Sequence, residues 1–151
     1  MHALSFSQIK EIKAFCESLV SEPDWREVVG QMVDSESDFE VDNVRFISDA
    51  VIDDVLADEL ANDEYVLGCF AASAIAEATG WPIALIEAAQ KGEAYQEIGE
   101  AMTSEHVRRL AEIYSSADGY GHHFNGYDFS EEELAVKFSH GTVTYHVFDN
   151  R

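Results

Sequence analysis

Hydrophobic residues recur at helical spacing through most of the chain and alternate with polar residues in two shorter stretches. Ser5 followed by Gln8 is a capping-box motif, and apolar positions then repeat every three or four residues to about Val20. Ser21 is placed to cap a second helix, with Pro23 tolerated in its first turn. The pattern therefore predicts two helices before the first strongly acidic segment.

The two alternating stretches are typical of antiparallel strands. The first runs from Phe39 to Ile47 on either side of Asp42 and Asn43, two residues that tolerate positive φ. The second comprises residues 134–138 and 142–148 around a short polar turn. Each stretch predicts a β-hairpin, the second of them at the end of the fold.

Helical patterns fill the region between the hairpins. Ser48 or Asp49 is expected to begin an amphipathic helix with an acidic outer face. The run from Tyr65 to Ala76 is apolar nearly all round, which predicts a buried central helix that stops at Gly80. A further helix opens at Trp81-Pro82 and can continue beyond Gly92 to Met102, and Thr103 or Ser104 begins the last one.

These elements predict an α+β fold, with a helical body of about five helices and a small antiparallel sheet that includes the C-terminal β-hairpin. A chain of 151 residues with 46% hydrophobic residues suits a single globular domain over residues 1–151. Cys16 and Cys69 fall on apolar helical positions, which favours buried, reduced thiols. No apolar run reaches the roughly 18 residues of a membrane span, and no signal-peptide pattern is present, so we expect a cytoplasmic protein.

Charge narrows the classes of partner. Thirty acidic against nine basic residues give a formal net charge of -21. Such a field repels nucleic acids and anionic membranes and attracts basic proteins. We therefore expect neither direct nucleic-acid binding nor membrane binding, while the oligomeric state stays open.

Five carboxylates at every second position form the strongest local signal. In an extended chain, residues two apart share one face at about 6.6 Å, so the segment can present a row of negative charges comparable to a nucleic-acid backbone. A calcium loop is a poor match, because Phe39 replaces the turn glycine and Arg45 replaces the bidentate glutamate. A merely solvated edge strand remains an alternative. The row consists of Asp34, Glu36, Asp38, Glu40 and Asp42.

The acidic segment continues to residue 64 with a single base, Arg45. Like charges four residues apart destabilise a helix by a few tenths of a kcal/mol per pair, so a one-signed face favours a role in binding. The hypothesis is an acidic inhibitor or nucleic-acid-mimic decoy that binds a basic, nucleic-acid-binding protein. A halophile's solvation strategy is the competing explanation. To the first row, the predicted binding face adds Asp49, Asp53, Asp54, Asp58, Asp63 and Glu64.

An enzyme or metal protein is the alternative from a different functional class. Adjacent His122 and His123 lie near Asp118 and Asp128 in sequence, and His146 can join them. Their spacing matches no zinc signature, and neighbouring side chains diverge, which favours ordered loop packing. The chain also lacks the phosphate-binding loop and nucleophile-elbow motifs. The sequence therefore assigns no catalytic residue, metal or cofactor, and disfavours an enzyme without excluding a spatially assembled site.

Several segments resemble small acidic accessory proteins carried by phages and plasmids. These are residues 58–70, the Thr79-Gly80-Trp81-Pro82 junction, residues 117–124 and the closing Tyr145-His146-Val147-Phe148-Asp149. The resemblance covers most of the chain but carries no assigned activity or catalytic residues. What it implies is context, since such elements often encode acidic proteins that block host defence nucleases or other DNA-binding machinery by occupying their DNA sites.

Overall fold

The computed structural model of the protein describes residues 3–63, 67–68 and 70–150. Its helices are α1 (Phe6–Ser18), α2 (Trp25–Val33), α3 (Ile52–Ala61), α4 (Ala72–Thr79), α5 (Ile83–Lys91), α6 (Tyr95–Ala101), α7 (Ser104–Asp118) and α8 (Gly121–Phe124). Its strands are β1 (Asp38–Val41), β2 (Val44–Ser48), β3 (Glu132–Phe138) and β4 (Gly141–Asp149). The predicted α+β class and both predicted hairpins are confirmed.

The four strands form one antiparallel sheet in the order β1-β2-β4-β3. Asp42 and Asn43 both have positive φ, 50° and 69°, as a tight two-residue hairpin between β1 and β2 requires. The two hairpins join through β2 and β4, where Phe46 lies opposite Val147. Strands β1 and β3 are the edges of the sheet.

The chain divides into two compact units. The first contains residues 1–52 and 120–151 and therefore the whole sheet, and the second contains residues 53–119. In the first unit, α1 packs against α2 and β3, and α2 packs against β1. The core between these helices and the sheet includes Ile12, Val28, Met32, Phe39, Phe46, Val136, Tyr145 and Val147.

Alternation along β4 divides its side chains between the two faces of the sheet. Tyr145 and Val147 belong to the core under α1 and α2. The intervening His146 and the following Phe148 lie on the opposite face, where Phe148 contacts Phe124 of α8 with ring centroids 5.2 Å apart. The loop around α8 therefore covers part of the second face.

In the second unit, α4 packs against α7 and α5, and α5 packs against α6. Helix α7 begins with a capping box in which Thr103 Oγ1 accepts from His106 N, and Thr103 N donates to His106 Nδ1, both at 3.2 Å. The predicted start of this helix is confirmed. Its apolar side buries Val107, Leu110, Ala111 and Tyr114.

Two helix starts differ from the sequence pattern. Asp24, and not Ser21, caps α2 by accepting from Arg26 N at 3.0 Å. Ser21 instead donates its backbone N–H to Asp149 Oδ2 at 3.1 Å, and its hydroxyl also contacts that carboxylate. A long-range partner has thus displaced a plausible local cap.

The predicted central helix over Tyr65–Ala76 is wrong within the described residues. Ala71 has φ -56° and ψ 125°, which is not helical, and α4 begins only after it. Gln90 Nε2 donates to Leu67 O at 3.0 Å and to Phe70 O at 2.8 Å, so a side chain satisfies carbonyls near the break. Residues 64–66 and Cys69 lie outside the described residues.

The predicted helix stop at Gly80 is confirmed, with φ 77° and a bond from Gly80 N to Ala76 O. A single helix through Gly92 to Met102 is not formed, because the backbone turns at Glu93, where φ is 59°. No described helix combines the length and apolarity that crossing a bilayer requires.

Candidate functional site

The five evenly spaced carboxylates lie on different pieces of backbone. Asp34 is the C-cap of α2, Asp38 and Glu40 lie on β1, and Asp42 begins the hairpin turn. Ser35 and Asp42 both have positive φ, so the chain changes direction on either side of the strand. The prediction of one extended row is therefore wrong, although all five carboxylate residues are exposed. These five residues, 34, 36, 38, 40 and 42, are called the hairpin cluster.

Arg45, a residue of β2, forms an ion pair with a member of the hairpin cluster. Its Nε donates to Asp38 Oδ1 at 2.9 Å and its Nη2 donates to Asp38 Oδ2 at 2.8 Å, a forked ion pair. The sheet register also places Arg45 opposite Glu40, and its guanidinium lies 5.0 Å from the centre of the Phe124 ring. One negative charge of the cluster is thus matched by an arginine of the same surface.

Asp42 also has a structural contact, since its Oδ2 accepts from Asp24 N at 2.9 Å. The remaining members are Asp34, Glu36 and Glu40. A carboxylate at the C-terminus of a helix, as at Asp34, typically costs about 0.3–1 kcal/mol. These three exposed carboxylates can meet a partner without breaking the Asp38 and Asp42 contacts.

The second acidic group lies on α3. The prediction that this helix begins at Ser48 or Asp49 is wrong, because Ser48 ends β2 and its Oγ accepts from Ala50 N at 3.3 Å. Asp49 therefore precedes the helix and does not share its acidic face. The exposed carboxylates of the helix itself, called the α3 cluster, are Asp53, Asp54 and Asp58.

Asp54 of the α3 cluster forms an ion pair within the second unit. Arg108 Nη2 donates to Asp54 Oδ1 at 2.5 Å, with more than half of each side chain exposed. Such an exposed pair contributes about 0–1 kcal/mol, so it leaves the surface available to a competing cation. Farther along, Asp63 is half-buried and Glu64 lies outside the described residues.

Asp49 contacts a buried histidine. His146 is 5% exposed, and its Nε2 lies 2.8 Å from Asp49 Oδ1 while its Nδ1 lies 3.4 Å from Glu131 Oε2. The Tyr120 ring packs edge-on against the imidazole at 5.1 Å. Asp49 N also donates to Thr144 O at 2.8 Å. Asp49 thus links the turn after β2 to β4, a structural role that the sequence did not indicate.

The adjacent histidines do not converge on one point. The His122 ring packs edge-on against Phe129 at 4.8 Å, and the His123 ring packs against Phe124 at 5.0 Å. Asp118 is the last residue of α7. Within the part of the chain that the structure describes, no three His, Cys, Asp or Glu side chains are grouped so that they could hold a metal.

A buried asparagine organises the loop that follows α8. Asn125 is fully buried, and its Nδ2 donates to Asp128 Oδ1 at 3.1 Å and to Ser130 O at 3.0 Å. Its Oδ1 accepts from Tyr127 N at 3.2 Å, which closes a turn between the two residues. Asp128 also accepts from Ser130 N at 3.0 Å. The Asp128 carboxylate is thus part of the loop's own hydrogen-bond network.

Cys16 lies on the buried side of α1 and is a free thiol. Burial, together with a smaller contribution from the nearby carboxylates of Glu17 and Asp24, raises the pKa of this thiol to about 11. The protonated thiol is a weak nucleophile at neutral pH. Cys16 therefore fits the predicted structural role.

No family model, curated protein or solved structure matches the chain.

Proposed function

We propose that the protein is an acidic binding protein that occupies the nucleic-acid-binding surface of a basic partner. It acts as an inhibitor or decoy in the cytoplasm, and a role against host defence follows from the resemblance to accessory proteins of phages and plasmids. The partner supplies the lysines and arginines that this chain lacks, since its nine basic residues face thirty acidic ones.

The observation that carries the proposal is the exposure of the predicted binding residues. Eleven carboxylates were predicted to form the binding face, and ten of them lie in the described residues. Nine of these ten are exposed, and the tenth, Asp63, is half-buried. Among the described residues, Arg45 pairs with Asp38 and Arg108 pairs with Asp54, and all four of these side chains stay partly exposed to solvent.

The local spacing suits mimicry of a nucleic-acid strand. Asp38 and Glu40 are two apart on β1, which places their side chains about 6.6–7 Å apart on one face. Two phosphate steps along one strand of a duplex cover about 6.8 Å of the axis. Asp54 and Asp58 are four apart on α3, with about 5–6 Å between Cβ atoms. One aspartate of each pair also binds an arginine of this chain, so a basic groove that matches this spacing must compete with Arg45 at Asp38 and with Arg108 at Asp54.

Some of these charges work against stability. Asp34 lies at the negative end of α2, and Asp54 repels Asp58 across one turn of α3. Together these terms cost about 0.5–1.5 kcal/mol, an appreciable part of the usual stability of a small protein. A binding role explains why carboxylates stand at positions where neutral residues would be more stable.

The metal or hydrolase alternative has less support. His122 and His123 pack against different aromatic rings, and Asp128 is occupied by hydrogen bonds within its loop. The contacts of this region favour ordered packing, which is the simpler explanation of the paired histidines.

The experiment combines affinity capture with charge variants. The protein is immobilised and exposed to extract of the host, and retained proteins are identified by mass spectrometry. One variant neutralises the hairpin cluster outside its structural contacts, as Asp34→Asn, Glu36→Gln and Glu40→Gln. A second neutralises the α3 cluster. We expect one or both to lose binding at least 10-fold, because a surface built from summed charge loses steering and contact energy together.

A matched control separates local recognition from general acidity. Glu17→Gln, Glu105→Gln and Glu112→Gln remove three exposed charges elsewhere, so each triple variant changes the net charge from -21 to -18. The control should bind like the unchanged protein. Equal losses in all three variants, or retention of no basic protein, would indicate that the acidity serves solvation.

A further inference from the structure

Helices α5 and α6 enclose an apolar groove in the second unit. Its volume is about 150 Å³, and its wall includes Trp81, Leu85 and Ala89 on one side and Ile98 and Ala101 on the other. Glu97 is the charged residue of the lining. The two helices therefore expose an apolar depression on a protein that is otherwise dominated by charge.

The geometry of the groove is fixed by the turn between its helices. Ala94 N donates to Ala89 O at 2.9 Å and Glu93 N donates to Gln90 O at 3.1 Å, the two bonds of a Schellman motif. Glu93 takes the left-handed position of that motif, with φ 59°. The groove is therefore built from a hydrogen-bonded turn and two helices, which makes it a preformed site.

Ile86 and Ile98 form a buried floor of the groove, whereas Leu85 at its rim and the neighbouring Ile83 are in contact with water. Leu85 is 60% exposed and the neighbouring Ile83 is 46% exposed. Exposed single apolar residues are common, but here they adjoin a depression lined by alanines. Small side chains at positions 89 and 101 leave room for a group from another molecule.

Glu97 in the lining, and further exposed glutamates on the same two helices and their turn, select the kind of molecule that binds. Residues 81–101 contain four glutamates, at positions 87, 93, 97 and 100, and one lysine, Lys91. Glu87, Glu93 and Glu100 are exposed like Glu97. An apolar group flanked by cations satisfies both the lining and the surrounding carboxylates, whereas an acidic segment would be repelled.

We propose that this groove binds a basic peptide segment of a partner protein that inserts one large apolar side chain between lysine or arginine residues. The volume matches the roughly 150 Å³ of an apolar cavity that binds benzene, so one phenylalanine ring or leucine side chain fills it. The proposal goes beyond charge-driven recognition by the hairpin and α3 clusters, and it uses none of their residues.

Synthetic peptides test the proposal directly. The first is a twelve-residue peptide of lysine and alanine with one central phenylalanine, the second replaces that phenylalanine with serine, and the third replaces every lysine with glutamate. The full chain carries Trp25→Phe, which leaves Trp81 in the groove as its only tryptophan. Titration follows the Trp81 fluorescence.

We expect the phenylalanine peptide to saturate the signal and the serine peptide to bind at least about 10-fold more weakly, since burial of one large apolar side chain carries that difference. The glutamate peptide should not bind. Equal affinity of the phenylalanine and serine peptides would overturn the proposal, because charge alone would then explain binding.

A pair of alanine variants locates the site. Ala101→Leu fills the groove and should weaken the phenylalanine peptide at least about 10-fold, whereas Ala84→Leu, on α5 outside the lining, should leave its affinity within about twofold. Should Ala101→Leu not fold, Leu85→Ser replaces it, because a 60% exposed side chain is dispensable for packing.

A second copy of the chain could fill the groove in place of a partner protein. Sedimentation of the unchanged protein and of the Ala101→Leu variant tests this alternative. A monomer in both cases agrees with the proposal, and a dimer that the substitution abolishes would overturn it. The triple charge variants described above keep the groove intact. If the peptides do not bind, the groove proposal is wrong but the proposed function is unaffected. If the charge variants bind the partner normally, the proposed function is wrong but the groove proposal is unaffected.

Discussion

Replacing Gly121 with alanine is expected to destabilise the first unit strongly. A Cβ built on Gly121 would lie 2.0 Å from Phe129 O and 2.7 Å from Phe129 C. Both neighbours are backbone atoms, so no side-chain rotation relieves the overlap. Because real Cβ contacts stay beyond 3.0 Å, the two segments must separate by about 1 Å, from 2.0 to 3.0 Å.

The magnitude follows from what such a shift disturbs. Overpacking a filled site costs about 1–3 kcal/mol. The same movement strains the bond from Phe129 N to Asn125 O and the bond from Asn125 Nδ2 to Ser130 O, both 3.0 Å, and each bond contributes about 0.5–1.5 kcal/mol. We therefore expect Gly121→Ala to lower the free energy of unfolding by about 2–4 kcal/mol.

Urea denaturation followed by circular dichroism measures this change. Gly126→Ala is the matched control, because a Cβ there has no heavy atom within 4 Å, and its effect should stay within about 0.5 kcal/mol. If the Gly121→Ala protein is as stable as the control, the loop around Gly121 is not tightly packed. The interpretation of His122 and His123 as packing residues would then also be wrong.

Three further predictions concern a thiol, a turn and an ion pair. Because its pKa is raised, the Cys16 thiol favours the folded protein while it is protonated, and this contribution to the free energy of unfolding is complete below about pH 9. The contribution falls by roughly 2 kcal/mol as pH rises through about 11, so urea midpoints over that range should decline less in Cys16→Ala than in the unchanged protein. Glu93→Gly should raise stability by about 0.5–1 kcal/mol in the same assay, because glycine adopts φ 59° without strain. Arg45→Gln should lower the free energy of unfolding by about 1 kcal/mol, because the contacts of Arg45 with Asp38 and Phe124 are lost. The same substitution should tighten binding of a basic partner, and unchanged or weaker binding would indicate that the partner does not bind at the hairpin cluster.

Local patterns predicted much of the fold. Alternation around Asp42 and Asn43 predicted the first hairpin, since these residues accept the positive φ that the turn imposes. Thr103 and the apolar spacing after it predicted α7. In such segments the local preference and the tertiary contacts agree, so the pattern suffices.

Long-range partners explain the errors. Ser21 has the chemistry of a helix cap, but Asp149 takes its hydrogen bonds from the far end of the chain. Near the break before α4, the Gln90 amide donates to backbone carbonyls that lie 23 and 20 residues earlier in the chain. Neither contact has a signature in the spacing of neighbouring residues.

The candidate site was predicted in composition and only partly in shape. Exposure of the acidic residues follows from charge, and the sequence pattern placed them on a hairpin and on a following helix, whereas the breaks in the row of five carboxylates depend on turns at Ser35 and Asp42. Alternation along β4 could have indicated that His146 faces away from the core beneath Tyr145 and Val147. Its pairing with Asp49 required the structure, because strand β2 brings that residue to β4.

The dissociation constant of the complex with the captured basic partner, measured with and without the partner's own nucleic acid, tests the central claim most directly. Binding should weaken steeply between 0.1 and 1 M salt, over which the screening length falls from about 10 to about 3 Å. Added nucleic acid should raise the apparent dissociation constant linearly with the free nucleic-acid concentration, as competition for one site requires. A complex that is indifferent to both salt and nucleic acid would contradict the account.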